Sequence, residues 1–424
     1  MRRFLPLIIV EVYLLLGLFL LYLGPVRFEL HNSFLFILLL LLYHLAFVFG
    51  YFLSLRLYRP VIRNNVPEVS GRVFYLLFIL GIASVFLSYK NLMMNDSLIP
   101  YNIASDIVRG LVEPGVVYAE RMQRMDEAGG SRILNVASLF FSFTKFLFLF
   151  YVIYFWSSLS FWRRVFSVVF LLLFPLPGIV SGTNSLVFYF FIFIVSTVIL
   201  VLYIRGFRYL KFLLVLAFFI MLIPIGSFGY IMSQRGGGFE YFALTSPLGD
   251  ISVLVDTPDI QGVLDYYYYS LVWLNYYLVQ GYYGFSLILS LDWDWTFGFG
   301  NSAFAQRQLL MLTGVDVSGL TFQRKITDFW DESAQWHSFY GQMANDFGLV
   351  GLSLFMLIWG FFLSRVWLTV LYEKSFYGAA LIPMFVLWLL FVPANNQILG
   401  FIDTLSFMMF VSAFWLLENK KVRF

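Results

Sequence analysis

Three His, no Cys and four cations in one acidic stretch set the chemistry open to this chain. Without Cys there are no disulfides, thiolate nucleophiles or Fe–S ligands, and His31, His44 and His337 alone argue against a His-based zinc site. Arg, carboxylate, imidazole and aromatic chemistry remain. All four types gather in residues 232–346, where twelve acidic residues face only Arg235, Arg307, Arg324 and Lys325. A guanidinium in so acidic a setting either closes an ion pair or selects an anion, because its fork matches phosphate oxygens two at a time. At least one of Arg235, Arg307 and Arg324 is expected to bind a phosphate group.

Asp331-Glu332 leads through Ser333 and Trp336-His337 into a run of small residues. With Ser333 as the N-cap of a helix continuing into an apolar span, positions 337, 341, 344, 348 and 351 share one face. That face reads His, Gly, Ala, Gly, Gly. Gly341, Ala344, Gly348 and Gly351 then form a groove in which a lipid chain or another helix can lie close to the backbone. His337 stands one turn above it at the membrane surface, either as an amphipathic anchor or, beside Asp331 and Glu332, as a general base.

Between Tyr266 and Trp295, eleven of thirty residues are Tyr or Trp. Such rings anchor proteins at the lipid headgroup level, and they also stack on sugar faces. Tyr282, Tyr283, Trp293, Trp295 and Trp336 are the candidates for a sugar platform. Asp292-Trp293-Asp294 is a D-x-D, but two carboxylates without substrate phosphates make a poor Mg²⁺ site, so no resident metal or cofactor is expected.

The elements that hold these residues must lie in lipid. Of 424 residues, 61% are hydrophobic and 12% charged, about half the charge of a soluble domain, and the mean hydropathy is +0.84. Disordered, collagen-like and nucleic-acid-binding classes are excluded by the same balance. Apolar runs of spanning length, bounded by charge, fall at 5–23, 34–55, 73–89, 134–156, 165–180, 186–204, 212–231, 347–364, 379–392 and 401–416. The first carries Glu11 and is followed by no small-residue cleavage site, so it reads as an uncleaved span rather than a signal peptide.

Loops at the N-terminus, 56–72, 157–164, 205–211, 365–378 and from Leu417 hold 16 basic and 3 acidic residues; the alternate loops (24–33, 90–133, 181–185, 232–346, 393–400) hold 10 and 19. The basic set, with both termini, is expected in the cytoplasm. Residues 270–290 tempt as an eleventh span, but that would put the Lys420-Lys421-Val422-Arg423 tail outside, so they read as interfacial or re-entrant. The expected organisation is transmembrane helices in 1–231 with an extracytoplasmic loop at 90–133, a large extracytoplasmic loop with interfacial helices at 232–346, and C-terminal transmembrane helices in 347–424. A loop as long as the second is usually functional. Facing away from ATP and nucleotide sugars, it calls for a lipid-carried substrate. Glu11, His44, Lys145 and Asp403 lie inside spans, with Glu11 and Lys145 as candidate partners. Ser181-Gly182-Thr183-Asn184 is a tight outward turn, read as structural.

Gln280-Gly281-Tyr282-Tyr283-Gly284-Phe285, then Trp295-Thr296-Phe297-Gly298-Phe299-Gly300-Asn301-Ser302, then Trp336-His337 leading to Asn345-Asp346-Phe347-Gly348, resemble the Wzy-type oligosaccharide repeat-unit polymerases of bacterial surface polysaccharide synthesis. The likeness spans the last third of the chain at motif level and the rest in architecture. His337 to Gly351 is also similar to the His-containing loop of the related O-antigen ligases. Where an Arg often follows the Ser-Gly turn in that superfamily, this chain has Asn184.

The resemblance implies an all-α polytopic, GT-C-like fold of about ten transmembrane helices in the bacterial inner membrane, with the active site facing the periplasm. It implies an O-antigen polymerase of lipopolysaccharide biosynthesis: a growing glycan on undecaprenyl diphosphate passes as a block to a hydroxyl of the next lipid-linked repeat, inverting, without metal or nucleotide. Donor and acceptor are undecaprenyl-diphosphate-linked oligosaccharides, and a chain-length regulator and a flippase are the implied partners. Under it Arg235, Arg307 and Arg324 bind the departing diphosphate, His337, Glu332 or Asp331 serves as base, the Gly341–Gly351 face takes the lipid, and the Tyr and Trp residues hold sugars. A ligase, and a flippase or transporter of lipid-linked oligosaccharide, are the alternatives.

Overall fold

The computed structural model describes residues 2–60, 70–93, 102–128, 132–206, 209–235 and 238–420. Residues 61–69 and 94–101 of the expected loops, and Lys421-Val422-Arg423 of the basic tail, lie outside the described residues.

Among the described residues the chain is all-α apart from one short ladder. Its helices are α1 (Leu5–Leu23), α2 (Ser33–Leu57), α3 (Gly71–Met93), α4 (Ile103–Val112), α5 (Pro114–Ala128), α6 (Arg132–Phe141), α7 (Phe143–Phe155), α8 (Phe161–Leu173), α9 (Leu176–Val180), α10 (Asn184–Ile204), α11 (Leu210–Gln234), α12 (Glu240–Leu244), α13 (Val263–Leu287), α14 (Ala303–Thr313), α15 (Phe322–Lys325), α16 (Phe339–Glu373), α17 (Phe376–Phe391) and α18 (Ile402–Lys420). Strands β1 (Val26–Phe28) and β2 (Ile251–Val253) pair antiparallel, Val26 opposite Val253 and Phe28 opposite Ile251, which stitches the α1–α2 connector to the segment before α13.

Among the described residues eight stretches are long and apolar enough to cross a membrane: Arg2–Leu23, Ser33–Leu57, Gly71–Leu92, Leu134–Ser158, Phe161–Val180, Ser185–Ile204, Lys211–Gln234 and Phe339–Glu373. This is a multi-pass membrane protein. Its outward-facing side chains are Val12, Leu15, Phe34, Ile79 and Leu172 and others like them, while Ser88, Lys145 and Ser167 are buried and hydrogen-bonded. Lipid inverts the usual rule in this way, because an unsatisfied polar group costs several kcal/mol in hydrocarbon. Two expected spans are not among these eight. Residues 379–392 lie in α17, whose 16 residues reach about 24 Å against a hydrocarbon core of about 30 Å. Residues 401–416 lie in α18, whose ends carry Asp403 and Glu418.

α13 is one continuous helix of 25 residues, with no reversal at 270–290. Its start is fixed by Asp265, which accepts from the N–H groups of Gln261 and Gly262 at 2.9 and 2.8 Å and so satisfies donors left over at a helix N-terminus. It packs along α1 and α11, and Tyr269, Tyr276, Val279, Tyr282, Tyr283 and Phe285 are buried in the core.

α16 departs most from expectation. It begins at Ser338, whose Oγ accepts from the N–H of Gly341, and not at Ser333. It also breaks at Gly348, where φ is 69° and ψ 167°, a region essentially closed to other residues. In an unbroken helix Phe339 and Trp359 would stand about 30 Å apart. Their ring centroids are 6.5 Å apart, and Phe339 is 6.0 Å from Phe355. Residues 339–347 therefore fold back along 349–373, with Gly348 at the tip.

Candidate functional site

α13 organises the site by presenting different faces to different partners. Tyr277, Gln280, Gly281 and Gly284 recur at helical spacing and meet the segment before α16. The Tyr277 ring lies 4.6 Å from Trp336, Gln280 Oε1 accepts from the Trp336 N–H at 3.1 Å, and the Gly281 carbonyl accepts from the Ser338 N–H at 3.2 Å. Gly281 is required there: a Cβ would come within 2.4 Å of the Ala394 carbonyl and 2.6 Å of the Ser338 nitrogen. Another face carries Tyr283, whose hydroxyl donates to Asp250 at 2.8 Å, while the other Asp250 oxygen faces His31 Nε2 at 2.6 Å.

His337 sits against α13 and Trp330. A Cβ on Gly284 would lie 3.1 Å from His337 Nδ1. The imidazole is 2% exposed, and neither ring nitrogen has a hydrogen-bond partner among the described residues. Burial pushes its pKa down to about 3, so at neutral pH it is uncharged. It lies just before the first arm of α16, packed against α13, and not one turn above a groove at the surface. The flanking carboxylates do not join it. Asp331 accepts from the N–H and hydroxyl of Ser333 in an exposed turn, and Glu332 lies 3.2 Å from Arg324.

The expected groove is not a single face. Gly341 and Ala344 are buried on the first arm of α16, Gly348 is the tip beneath the Trp293 ring, and Gly351 is exposed on the second arm. The reversal at Gly348 separates what an unbroken helix would align.

At that tip Asn345 and Asp346 form a buried polar hub. Asp346 accepts from Thr296 Oγ1 (2.6 Å), Gly300 N (2.9 Å), Asn301 N (3.1 Å) and Asn301 Nδ2 (2.7 Å). Asn345 donates to Gln323 Oε1 at 2.6 Å and to the Gly300 carbonyl at 2.9 Å, and its own carbonyl accepts from Trp293 Nε1 at 2.8 Å. The loop 292–299 is thus pinned from below while its rings stay open. Trp295 is 55% exposed and lies 4.6 Å from Phe297, and Trp293 is 45% exposed. These two Trp can meet a sugar. Tyr282 and Tyr283 cannot, since both are fully buried inside the bundle. Trp336 is partly buried between Tyr277 and Phe391. Asp294 of the D-x-D is tied to Lys325 at 2.8 Å.

The three expected arginines lie in different settings. Arg324 is paired with Glu332, Arg307 stands exposed on α14, and Arg235 caps the end of α11. Its guanidinium donates to the Gly182 carbonyl of the Ser-Gly turn and lies 3.9 Å over the Tyr118 ring. The intramembrane charges pair differently from expectation: Glu11 with His44 at 2.8 Å, and Lys145 with Asp403 at 2.5 Å.

Asn395-Asn396-Gln397 were missed in the sequence, where they read as a short loop. Gln342 donates to Asn395 Oδ1 at 2.7 Å, Asn396 to the Asn301 carbonyl at 3.2 Å, and the Tyr189 hydroxyl to Gln397. Three amides in a row between two apolar helices were the available signal. Set against protein-family models, curated proteins and solved structures, the chain matches none of them.

Proposed function

We propose that the chain is a metal-independent, polyprenyl-diphosphate-dependent glycosyltransferase that joins lipid-linked oligosaccharide repeats into a surface polysaccharide at the periplasmic face of a bacterial inner membrane. One observation carries the reading. The segments that resemble the repeat-unit polymerases converge: 280–284 on 336–338, and 295–301 on Asn345-Asp346. Trp293 and Trp295 hold sugars on the pinned loop, Arg235 takes the diphosphate, and the proton acceptor for the attacking hydroxyl is His337, which at 2% exposure reaches that hydroxyl only when substrate binding parts its packing against α13. It is uncharged, and neither ring nitrogen has a partner among the described residues. Its low pKa makes it a weak base, which the negative charge of a bound substrate strengthens. Asp331 and Glu332 drop out of that role, since their own turn and Arg324 occupy them.

The test is the purified protein with an undecaprenyl-diphosphate-linked repeat unit and neither metal nor nucleotide. A ladder of lengthening glycans is expected, and its absence under all conditions sinks the reading. Transfer of the glycan only to a lipid A core marks a ligase. The Lys145–Asp403 and Glu11–His44 pairs on apolar helices favour a second reading, a flippase or transporter; movement of labelled substrate across liposomes without lengthening marks that one.

A further inference from the structure

α5 brings a second cation, Arg121, near Arg235. The start of α5, the Ser181-Gly182 turn and the end of α11 meet in one place. A Cβ on Gly182 would lie 2.4 Å from the Pro114 carbonyl and 3.2 Å from the Tyr118 nitrogen, and one on Gly115 would lie 2.8 Å from the Gln234 carbonyl. Tyr118 and Arg121 are three apart on α5 and so share a face. Tyr118 carries the Arg235 guanidinium on its ring, and Arg121 lies close enough for the two positive charges to repel.

Both guanidiniums are partly buried, and burial lowers the pKa of each; for Arg121 the charge of Arg235 lowers it further. Neither has a carboxylate partner among the described residues, and the Nε of each is buried without a hydrogen bond there. Of its donors, Arg235 commits one to Gly182. Two other arginines of this acidic side are paired, Arg324 with Glu332 and Arg109 with Glu120. Two like charges drawn out of water and left unpaired are costly, and an anion bridging them removes the cost. Two guanidinium forks offer more N–H donors than one phosphoryl group needs, which suits two linked phosphoryl groups.

We propose that Arg121 and Arg235, with Tyr118 between them and the Gly182 turn behind, form one binding site for a diphosphate group, and that Arg121 is a binding residue of the protein. The proposal deepens the glycosyltransferase reading by naming the residue that completes its leaving-group site, but diphosphate binding can be measured without turnover.

The experiment titrates purified protein in nanodiscs with two probes, inorganic pyrophosphate and a polyprenyl diphosphate. Wild type binds at least the lipid form, and binding of both at similar strength assigns the recognition to the diphosphate alone. Arg121→Gln and Arg235→Gln each weaken binding at least tenfold, Arg121→Lys falls between them and wild type, and Arg164→Gln, on another segment, leaves it unchanged. Should the Gln variants fail to fold, phenylglyoxal labelling of the wild-type protein with and without pyrophosphate gives the answer: Arg121 and Arg235 become protected. Unchanged binding in folded variants, no binding by wild type, or protection only at Arg307 or Arg324 overturns the proposal. Binding that behaves as expected while no glycan ladder forms counts against the polymerase reading and leaves this site standing.

Discussion

Lys145 of α7 and Asp403 of α18 meet at 2.5 Å, and the same ammonium donates to Ser88 of α3 at 2.6 Å, so that one cation ties three helices together inside the bundle. Removing one partner of a buried pair strands a charge and costs about 3–5 kcal/mol, whereas replacing both with apolar residues is often close to neutral. Lys145→Met is therefore expected to lower the melting temperature sharply in detergent, and Lys145→Met with Asp403→Leu to recover most of the loss. A double variant as unstable as the single one would show that the pair is not what holds these helices.

Gly348 turns α16 back on itself at a positive φ, with the Trp293 ring above it. Gly348→Ala adds backbone strain of about 1–3 kcal/mol and brings a Cβ to 3.2 Å from that ring. Thermal unfolding should register the loss. A variant as stable as wild type would mean that the reversal does not depend on glycine.

Asp346 accepts four hydrogen bonds from the 296–301 loop. Bonds to a charged group contribute about 1.5–3 kcal/mol each, and not additively. Asp346→Ala should cost more than Asp346→Asn, whose amide oxygen still accepts, and limited proteolysis should open the 292–299 loop in the same order. Equal protection in all three proteins contradicts the hub.

His337 gives a prediction in pH. Its folded pKa, about 3, lies below its ordinary 6.5, so the unfolded chain binds the proton more tightly. The stability contribution is complete above 6.5 and is lost progressively as pH falls from there toward 3. Melting temperature should fall between pH 7 and pH 5, and His337→Phe should remove one proton's share of that slope. Under the proposed glycosyltransferase reading, kcat/KM reports the free protein. It should show no loss near pH 6.5 from protonation of this group, and His337→Ala should abolish the ladder.

The spans were legible because twenty apolar residues in a row have few other uses, and eight of them hold. The partners of the intramembrane charges were not, since which face of α7 meets α18 depends on the assembled bundle: Lys145 and Glu11 looked like partners until Asp403 and His44 arrived from distant segments. Gly348 misled for a related reason. In Asn345-Asp346-Phe347-Gly348 a glycine at helical spacing reads the same whether it lines a groove or reverses the chain, and only the four donors that converge on Asp346 decide. The aromatic run split by depth, with Tyr282 and Tyr283 turned into the bundle and Trp293 and Trp295 left open on a loop. Arg121 carried a quieter signal, a Tyr one turn before it on a helix otherwise rich in acids.

The N–H of Phe339 bonds to the Val392 carbonyl at 3.0 Å, and Gln342 reaches Asn395. During biosynthesis the first arm of α16 leaves the ribosome before either acceptor exists. Its resting place, and with it that of His337, can be settled only after the chain has been translated past residue 395. Truncation before that point would leave the early helices able to insert while this segment had nowhere to dock, so folding of the 337–347 segment waits on synthesis of residues 392–395.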